Sequence, residues 1–481
     1  MAHNKFLPRV LAAAAAMMLL AGCSSKADPG FSPANPVNIT IWTYYNGEQL
    51  EAFNALVDEF NSTVGKEQGI TVESSSHGSV TDLENNVLAS AEGKVGVEAM
   101  PNIFSAYADT AYALDEMGQI ADLSDYLSEE DRAAFIEDYL SEGDFSGSGS
   151  IKIFPVAKSA ELLFLNETDW ELFAAATGAT YDDLATIEGL VSVAERYYEW
   201  TDAQTPDIPN DGRAFFGRDA MANYMLIGAK QLVCTIFDAQ DGSMTLNFDH
   251  DAVRTLWDNY YVPFIKGYFS ASGRFRSDDV KTGNIIAYVG SSSSATFFPT
   301  QVIADDMDSH DITRKALESP KFANGEDYAV QQGAGMVVTK ASDAEIQASL
   351  VFLKWFTSPE HNITFSVDSG YLPVTHEGNS IDAIRISGLA LSDEMDEVLS
   401  AAVDTVNENH LYTPRAFSGG TNARAILEYS MSDKASADRA AVKEAMAQGQ
   451  SFEEASAQFL SDECFEAWYQ DTLASLEAFQ G

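Results

Sequence analysis

The chain has 481 residues, of which 46% are hydrophobic and 21% are charged, a composition typical of a globular protein with about two or three domain-sized units. It carries 73 Asp and Glu against 28 Lys and Arg, a formal net charge of −45. A surface this negative repels phosphate backbones, which argues against general nucleic-acid binding. The sequence has three cysteines, too few for a disulfide-dense scaffold or a site of four thiolates.

The N-terminus predicts a secretory signal. Lys5 and Arg9 precede an apolar run over 10–20, and small residues follow. The run is shorter than the roughly 20 residues that span a bilayer. Its end, Leu20-Ala21-Gly22-Cys23, resembles the lipobox of bacterial lipoproteins, which implies that Cys23 is lipidated and becomes the mature N-terminus. The alternative is an ordinary thiol just after a signal peptide.

Beyond a Ser-, Pro- and Gly-rich tether over 24–36, strands and helices alternate. Residues 37–42 alternate as a strand does, and 48–63 carry apolar residues at helical spacing. A second strand over 70–73 precedes a helix from about residue 82, and a third strand lies at 102–107. This order predicts a parallel sheet covered by helices, with ligand sites at the carboxyl ends of its strands.

The rest of the chain continues the mixed pattern after a Ser/Gly segment at 146–150, and it becomes mostly helical from about residue 395. No repeat of about 20–50 residues occurs, so a solenoid is not expected. The predicted elements are an extended stretch at 151–166, helices at 169–177 and 182–200, strands at 285–290, 329–332 and 334–339, and a helix through Ile346, Leu350, Leu353 and Phe356 that ends before Pro359.

Five separated segments together resemble one protein family. They are Tyr44-Tyr45-Asn46-Gly47-Glu48, Pro155-Val156-Ala157-Lys158-Ser159-Ala160-Glu161, Val289-Gly290-Ser291-Ser292-Ser293, Gly333-Ala334-Gly335-Met336 and Ser369-Gly370-Tyr371-Leu372-Pro373-Val374. Their order over 37–481 is similar to that in the extracellular solute-binding proteins of ABC importers. The most similar branch contains sugar-binding and glycerol-3-phosphate-binding lipoproteins and periplasmic proteins.

The resemblance implies an α/β, two-lobed periplasmic-binding-protein-like fold. Each lobe is then a sheet flanked by helices, and crossover strands near 156–160, 289 and 333–340 join the lobes around a ligand cleft. The protein is then a monomer that closes on its solute by a hinge motion and presents it to a membrane permease. The expected divisions are a signal peptide at 1–22, a lipidated tether at 23–36, lobe 1 at 37–156 and 290–335, and lobe 2 at 157–289 and 336–481.

Two turns of the first sheet are candidate parts of the cleft, where aromatic faces and fixed polar groups would hold sugar carbons and hydroxyls. Tyr44, Tyr45 and Glu48 lie on the first turn, and Ser76 and His77 on the second. In the alternative interpretation the tyrosines pack on the helix, Glu48 stabilises the helix N-terminus, and His77 is a solvated loop residue.

The crossover segments supply further candidates. Lys158, Ser159 and Glu161 match the family segment that faces the ligand, although their opposite charges could instead pair with each other across the hinge. Ser291 and Ser292 could bind sugar or anion oxygens through hydroxyls and backbone N–H groups, or could form a flexible polar loop. Gly333 and Gly335 are expected to allow close backbone approach at a crossover.

Arginines are scarce in this acidic chain, so Arg218 and Arg415 are candidate clamps for phosphate or carboxylate. Arg218 could equally pair with Asp219 or another carboxylate. Arg415 falls near the arginine of the glycerol-3-phosphate-binding members, so Arg415→Ala should abolish phosphate-ester binding and only weaken sugar binding. Tyr371 fits a family loop and either stacks on the ligand or packs in the core.

The sequence contains none of the short motifs of metalloproteases, serine hydrolases or P-loop proteins. We therefore expect a binding protein and not an enzyme, with no cofactor and no metal. The predicted solute is a sugar or oligosaccharide. Glycerol-3-phosphate or its diesters are the alternative, and a surface glycoside hydrolase is a remote one. Pairing of Cys234 with Cys464 is left open by the sequence.

Overall fold

The computed structural model describes residues 30–240, 242–303 and 309–480. The predicted signal peptide and Cys23 lie outside these ranges. Within them, no helix combines the length and the apolar character that a membrane crossing requires. Cys234 and Cys464 are both free thiols.

The described part of the chain contains two four-stranded sheets and three two-stranded ones. The strands are β1 Val37–Thr43, β2 Ile70–Ser76, β3 Ile103–Ala106, β4 Glu161–Asn166, β5 Phe216–Arg218, β6 Phe237–Gln240, β7 Ser243–Leu246, β8 Ala287–Ser291, β9 Gln301–Val302, β10 His310–Asp311, β11 Arg314–Glu318, β12 Tyr328–Val330, β13 Gly335–Val338 and β14 His410–Tyr412.

Helices cover both sheets and build most of the second half of the chain. They are α1 Gly47–Ser62, α2 Val64–Gln68, α3 Val80–Ala91, α4 Ala108–Glu116, α5 Glu129–Ala133, α6 Glu137–Ser141, α7 Glu167–Thr177, α8 Ile187–Asp202, α9 Met221–Gln231, α10 His250–Lys266, α11 Arg276–Lys281, α12 Asp343–Phe356, α13 Pro359–Ser369, α14 Ile381–Ile386, α15 Asp393–Glu408, α16 Gly420–Ala447, α17 Phe452–Ser456 and α18 Asp462–Glu477.

The first sheet has the order β13-β3-β1-β2. Strand β1 pairs in parallel with β2 and β3, as the βαβ pattern predicts, and β13 runs antiparallel to β3. Ile39 and Ile41 of β1 face a core with Phe53 of α1, whereas Trp42 faces the opposite core with Leu83 of α3. Successive side chains of a strand point to opposite faces, so β1 needs apolar residues on both.

The second sheet has the order β11-β4-β8-β5. Strand β4 is buried along its whole length. Leu163 and Leu165 face a large helical core, and Leu162 and Phe164 face the other side of the sheet. Strands β8 and β11 both pair antiparallel with β4, while β5 runs parallel to β8. The long helix α16 packs against α9 and α10 on the helical side.

Sheet membership corrects the predicted lobe boundaries. Strand β11, at 314–318, pairs with β4 in the second sheet, although it falls in the predicted lobe 1 segment 290–335. Helix α12, at 343–356, packs on β1 of the first sheet, although it falls in the predicted lobe 2 segment from 336. The local pattern of residues can predict that a strand forms, but it does not predict which strand it pairs with.

The chain therefore crosses between the sheets at three places. It leaves the first sheet at 154–160, returns at 331–335 and leaves again after Thr375, which is bridged to Phe135 of the first lobe. It does not cross near 289, because β8 continues into a 3-10 helix, Ser292–Phe297, and then into strands beside the second sheet. We call the unit around the first sheet lobe 1 and the unit around the second sheet lobe 2.

Candidate functional site

Three loops leave the same edge of the first sheet. The parallel register pairs Thr43 with Ser76 and Trp42 with Phe104, so β1, β2 and β3 end side by side. The chain segments that follow begin at Tyr44, His77 and Tyr107. The carboxyl edge of a parallel sheet thus carries polar and aromatic side chains from three turns.

The matching edge of the second sheet carries charged and hydroxyl groups. Glu161 at the start of β4 is paired with Ser291 at the end of β8, and Arg218 at the end of β5 lies beside Val289. These strand ends adjoin the crossover at 154–160. The two edges consequently lie on either side of the crossovers and form the walls of a cleft.

The two lobes touch around this cleft. Gln49 of α1 donates from Nε2 to the carbonyl oxygen of Ser293 at 3.2 Å. A Cβ atom added to Gly420, at the start of α16, would overlap the carboxylate of Asp109 on α4, and one added to Gly242 would overlap the hydroxyl of Tyr112. The structure therefore has the lobes closed against each other, with glycines at two of the contacts.

A tyrosine cluster lies on the lobe 1 wall. The Tyr44 and Tyr371 hydroxyl oxygens are 3.2 Å apart. Burial, followed by the charge of neighbouring tyrosines, raises the pKa of Tyr44 well above its ordinary value, and burial raises the pKa of Tyr107 in the same way. These hydroxyls stay protonated and can donate as well as accept. Tyr45 instead packs its ring against Phe53, which matches the packing alternative for that residue.

The second predicted turn is held by contacts with the first turn and with β1. Ser76 Oγ donates to the Tyr45 carbonyl oxygen at 2.7 Å. The His77 ring lies 4.3 Å from the Trp42 ring, and burial lowers the pKa of His77, partly opposed by the charge of Glu98. Glu48 is exposed in the first turn of α1. Ser76 and His77 thus shape the loop, and Glu48 lies where it favours the helix dipole.

A buried polar network forms the lobe 2 wall. Arg218 pairs with the Glu161 carboxylate, which also accepts a 2.8 Å hydrogen bond from Asn223 Nδ2. Arg218 therefore pairs with Glu161 and not with Asp219, one of the alternatives left open by the sequence. Arg424 on α16 donates to the side-chain oxygen Oδ1 of Asn223 from the other side. The chain of contacts runs from β4 to α16 and fixes both guanidinium groups.

Lys158 does not pair with Glu161, contrary to one predicted possibility. Its ammonium group pairs with Glu142 and donates to the Gly333 carbonyl oxygen at 2.8 Å. Ser159 Oγ is buried and has no hydrogen-bond partner among the described residues. The three neighbours predicted as one ligand-facing set thus have three different environments.

The serine segment is ordered by its own hydrogen bonds and not a loose loop. Ser291 Oγ accepts from the backbone N–H of Ser293 at 3.3 Å, and Ser292 Oγ donates to the Gly370 carbonyl oxygen at 2.8 Å. As predicted, glycine is needed for close approach at 333 and 335. An added Cβ would lie 2.7 Å from the Ala157 carbonyl oxygen at Gly333 and would overlap Ile153 at Gly335.

The family model for bacterial extracellular solute-binding proteins matches residues 55–384. The chain belongs to this family. The match confirms the family resemblance of the sequence. It indicates that the protein functions outside the cytoplasm. A comparison of the sequence with curated proteins finds no match.

Solved structures show the same fold as this solute-binding protein. The cyclic alpha-maltosyl-1,6-maltose binding protein of Arthrobacter globiformis has a TM-score of 0.65 at 18% identity, over 92% of this chain and 100% of that one. UgpB of Mycobacterium tuberculosis, in complex with glycerophosphocholine, has a TM-score of 0.65 at 16% identity, over 92% and 98%. The MalE domain of Bdellovibrio bacteriovorus, bound to maltotriose, has a TM-score of 0.60 at 14% identity, over 83% and 94%.

Sequence reasoning missed several groups that lie where the two lobes of this solute-binding protein meet. Tyr107 and Asp109 follow β3, so the rule that selected Tyr44 could have found them. Burial raises the pKa values of Glu84 and Asp109 in lobe 1, and the charge of Arg424 partly opposes both shifts. Nothing in the local sequence of Arg424 marks it. The predicted Arg415 is exposed, with no ion pair within the described part of the chain.

Burial is the main influence on Asp109. It raises the pKa of that carboxyl group to about 6, while the charge of Arg424 lowers the pKa and that of Glu142 raises it. No group of three His, Cys, Asp or Glu side chains suited to a metal ion occurs in the described ranges.

Three buried polar atoms without partners lie at the crossovers. They are Ser159 Oγ, Gln331 Nε2 and Gln332 Oε1, each without a hydrogen-bond partner among the described residues. Other buried atoms without a partner, such as Arg218 Nε, lie elsewhere in the described ranges. The backbone N–H of Ser159 donates to the Gln332 carbonyl oxygen at 2.9 Å, which puts two of these groups side by side. Buried polar groups are rarely left unpaired, so these atoms mark a place that a polar molecule can complete.

Proposed function

We propose that this solute-binding protein captures a sugar or oligosaccharide between its lobes and delivers it to the permease of an ABC transporter. The observation that carries the proposal is the set of unpaired donors and acceptors at the crossovers. The hydroxyls of Tyr44, Tyr107 and Tyr371 supply further donors and acceptors on the lobe 1 side. Sugars offer hydroxyl groups that both donate and accept, and apolar ring faces that suit aromatic side chains.

The charge arrangement supports an uncharged solute. Two of the basic groups already have carboxylate partners, since Lys158 pairs with Glu142 and Arg218 pairs with Glu161. A solute that bound through either cation would have to replace a buried ion pair, which is costly. Neutral hydroxyl groups can bind to these pairs without breaking them.

Arg424 is the group that a phosphate ester would use, and its surroundings disfavour that alternative. Its charge acts on Glu84 and Asp109, which lie on the opposite wall and carry negative charge of their own when ionised. A phosphate placed there would be repelled by both carboxylates. Glycerol-3-phosphate and glycerophosphodiesters remain the second candidate, because UgpB with glycerophosphocholine has the same fold.

The cleft has one wall on each lobe, and this arrangement would couple solute binding to closure of the lobes. Tyr44 and Tyr371 belong to the lobe 1 side, whereas Asn223 and Arg424 belong to lobe 2. A solute can contact both sets only when the lobes are closed, so it binds that state more tightly and shifts the population towards it.

The remaining parts of the proposal concern the setting. We expect Cys23 to be lipidated and to tether a monomer to the cell membrane through 24–36. Following the sheets, we place lobe 1 at 37–158 and 333–375 and lobe 2 at 159–332 and 376–481. We also expect no turnover, so purified protein incubated with oligosaccharides should return them unchanged, and steady release of shorter sugars would indicate a hydrolase.

A thermal-shift screen tests the solute class. Neutral mono- and oligosaccharides should raise the unfolding temperature in a saturable way, and glycerol-3-phosphate and glycerophosphocholine should raise it less or not at all. Arg424→Ala should weaken binding of the active sugar by about 1–3 kcal/mol through loss of hydrogen bonds from a charged donor. The matched variant Arg415→Ala should bind as the wild type does.

The opposite pattern would count against the proposal. If only phosphate esters stabilised the protein, the second candidate would replace the first. If Arg415→Ala lost binding and Arg424→Ala kept it, the assignment of the cleft arginine would be wrong.

A further inference from the structure

Lys158 is a buried cation at the junction of the two lobes. Its side chain is 1% exposed, and that of its partner Glu142 is 3% exposed. Its ammonium group also donates to the Gly333 carbonyl oxygen at 2.8 Å and lies 5.9 Å from the centre of the Tyr139 ring. A lysine with this burial and these partners is not available to a solute unless a buried ion pair is first broken.

The backbone of the same residue joins the crossing segments. The Lys158 N–H donates to the Leu372 carbonyl oxygen at 3.1 Å, and the Ser159 N–H donates to the Gln332 carbonyl oxygen at 2.9 Å. Residue 158 thus belongs to the first crossover, binds the second through Gly333, and binds the segment at 370–374 that precedes the third. Glu142, which follows α6 of lobe 1, anchors this junction to one lobe.

We propose that the Lys158–Glu142 pair is a hinge clamp, and that Lys158 is a positioning residue that fixes where the lobes pivot. The proposal rests on the proposed function, because closure on a solute is what the pivot serves. The clamp ties the lobe 1 ends of the first two crossovers together, so rotation is confined to the next residues towards lobe 2.

The distribution of hydrogen bonds supports this placement. On the lobe 1 side of the junction, the ammonium group is satisfied by Glu142 and Gly333. Immediately beyond it, Ser159 Oγ, Gln331 Nε2 and Gln332 Oε1 have no partner among the described residues. No side-chain hydrogen bond from these three atoms resists rotation there, and hinges are a few residues of this kind that absorb the change in backbone angles.

Gly333 makes the clamp possible. Its φ is +96°, and an added Cβ would lie 2.7 Å from the Ala157 carbonyl oxygen and 3.0 Å from Lys158 Cα. The two crossovers therefore approach closely enough for the ammonium group to reach the backbone of the other strand. Because Gly333 has no side chain, the two crossovers can pack closely at this point.

A variant that lacks both charges of the Lys158–Glu142 pair separates its positioning role from its effect on the stability of the fold. A single Lys158→Met change would leave Glu142 buried without a partner and would destabilise the fold. The double variant Lys158→Met/Glu142→Leu replaces the pair with apolar groups of similar size, which is often neutral for stability. Its unfolding temperature should stay within a few degrees of the wild type.

Hydrogen exchange of backbone amides, measured on the full protein, tests the clamp directly. In the double variant the amides of residues 157–161 and 331–335 should exchange at least about tenfold faster, while amides of β1 and β8 keep their wild-type protection. The matched control is Lys354→Met/Asp131→Asn, which removes a partly exposed ion pair of lobe 1 with a 2.7 Å separation. It should leave the crossover amides unchanged.

Solute affinity supplies the second readout. If less precise positioning lowers the fraction of molecules that can close correctly to about a tenth, the apparent Kd of the sugar rises about tenfold. Wild-type protection at the crossovers of the double variant would overturn the clamp, and so would an increase in exchange that extends equally through β1 and β8. If the wild type binds no sugar, the proposed function fails, and the exchange measurement still decides the clamp.

Discussion

Asp109 and Arg424 show how the cleft uses single charged residues. Asp109 lies on α4 of lobe 1 against Gly420 of lobe 2, and Arg424 is one helical turn further along α16. The positive end of the helix dipole and the guanidinium group both favour the ionised carboxylate. Burial outweighs them, because it raises the pKa of Asp109 to about 6. The closed structure therefore disfavours the ionised form of this carboxyl group.

Asp109→Asn tests this balance. The ordinary pKa of the group is 3.8, so the closed protein binds the proton more tightly than the unfolded chain. The free energy of unfolding therefore falls as the pH rises from about 4 to about 6. The variant lacks this loss, so its unfolding temperature should exceed that of the wild type by roughly 2 °C at pH 7.5 and by little at pH 4.5.

Thermal unfolding at both pH values gives the comparison, with Asp125→Asn, an exposed residue, as the control that should show no such difference. Equal effects of Asp109→Asn at the two pH values would mean that the carboxyl group does not titrate as the closed structure requires.

At the residue scale, the sequence predicted which candidate residues lie at the carboxyl edge of the first sheet, because they follow a strand. Tyr44 comes directly after β1, and its position at this edge follows from the rule for parallel sheets. Arg424 could not be found in this way, because it reaches the cleft only through the packing of α16 on α9. The partner of Lys158 was missed for the same reason, since Glu142 is brought to it by the tertiary fold.

Helix α4 is the element that seats lobe 1 on lobe 2. Its residues Asp109 and Tyr112 face Gly420 and Gly242, and an added Cβ at either glycine would overlap them. Gly242 belongs to the turn between β6 and β7. Two positions without side chains thus receive one helix, and the fit of the closed lobes depends on them.

Gly242→Ala should therefore hinder closure without unfolding lobe 2. We expect the affinity for the sugar to fall roughly tenfold, which corresponds to about 1.4 kcal/mol. The double variant Tyr112→Phe/Gly242→Ala removes the hydroxyl that the new methyl group would meet, so it should recover most of the affinity. Both variants keep the strain of an alanine at a φ of +79°, so their unfolding temperatures should be similar.

Isothermal titration of the wild type and the three variants, including Tyr112→Phe alone, measures this. Should the double variant bind as weakly as Gly242→Ala, steric exclusion at the lobe contact would not be the cause.

At the element scale, periodicity found the long helices and the parallel strands. The predicted strand over 37–42 is β1, Val37–Thr43, and the predicted helix over 48–63 is α1, Gly47–Ser62. Strand β5 has only three residues, Phe216–Arg218, too few for a period to appear. Pro359 follows the end of α12 as expected, and it also begins α13, where its missing N–H has no cost.

The whole molecule consists of two lobes, and each lobe is built from segments that are separated in the sequence. The sequence order suggested two lobes and several crossovers, but it assigned the returns wrongly because β11 and β13 each pair with a strand more than a hundred residues earlier in the chain. The acidic surface, with a formal charge of −45, favours solubility and argues against anionic solutes, in agreement with the carboxylates around Arg424.

Closure on a solute is the central claim at this scale, and small-angle scattering tests it most directly. The sugar that gives the largest thermal shift is added at saturating concentration, and the radius of gyration is compared with that of the free protein. We predict a smaller radius in the presence of the sugar, as the two lobes close over the cleft. An unchanged radius with the sugar demonstrably bound would contradict capture between hinged lobes.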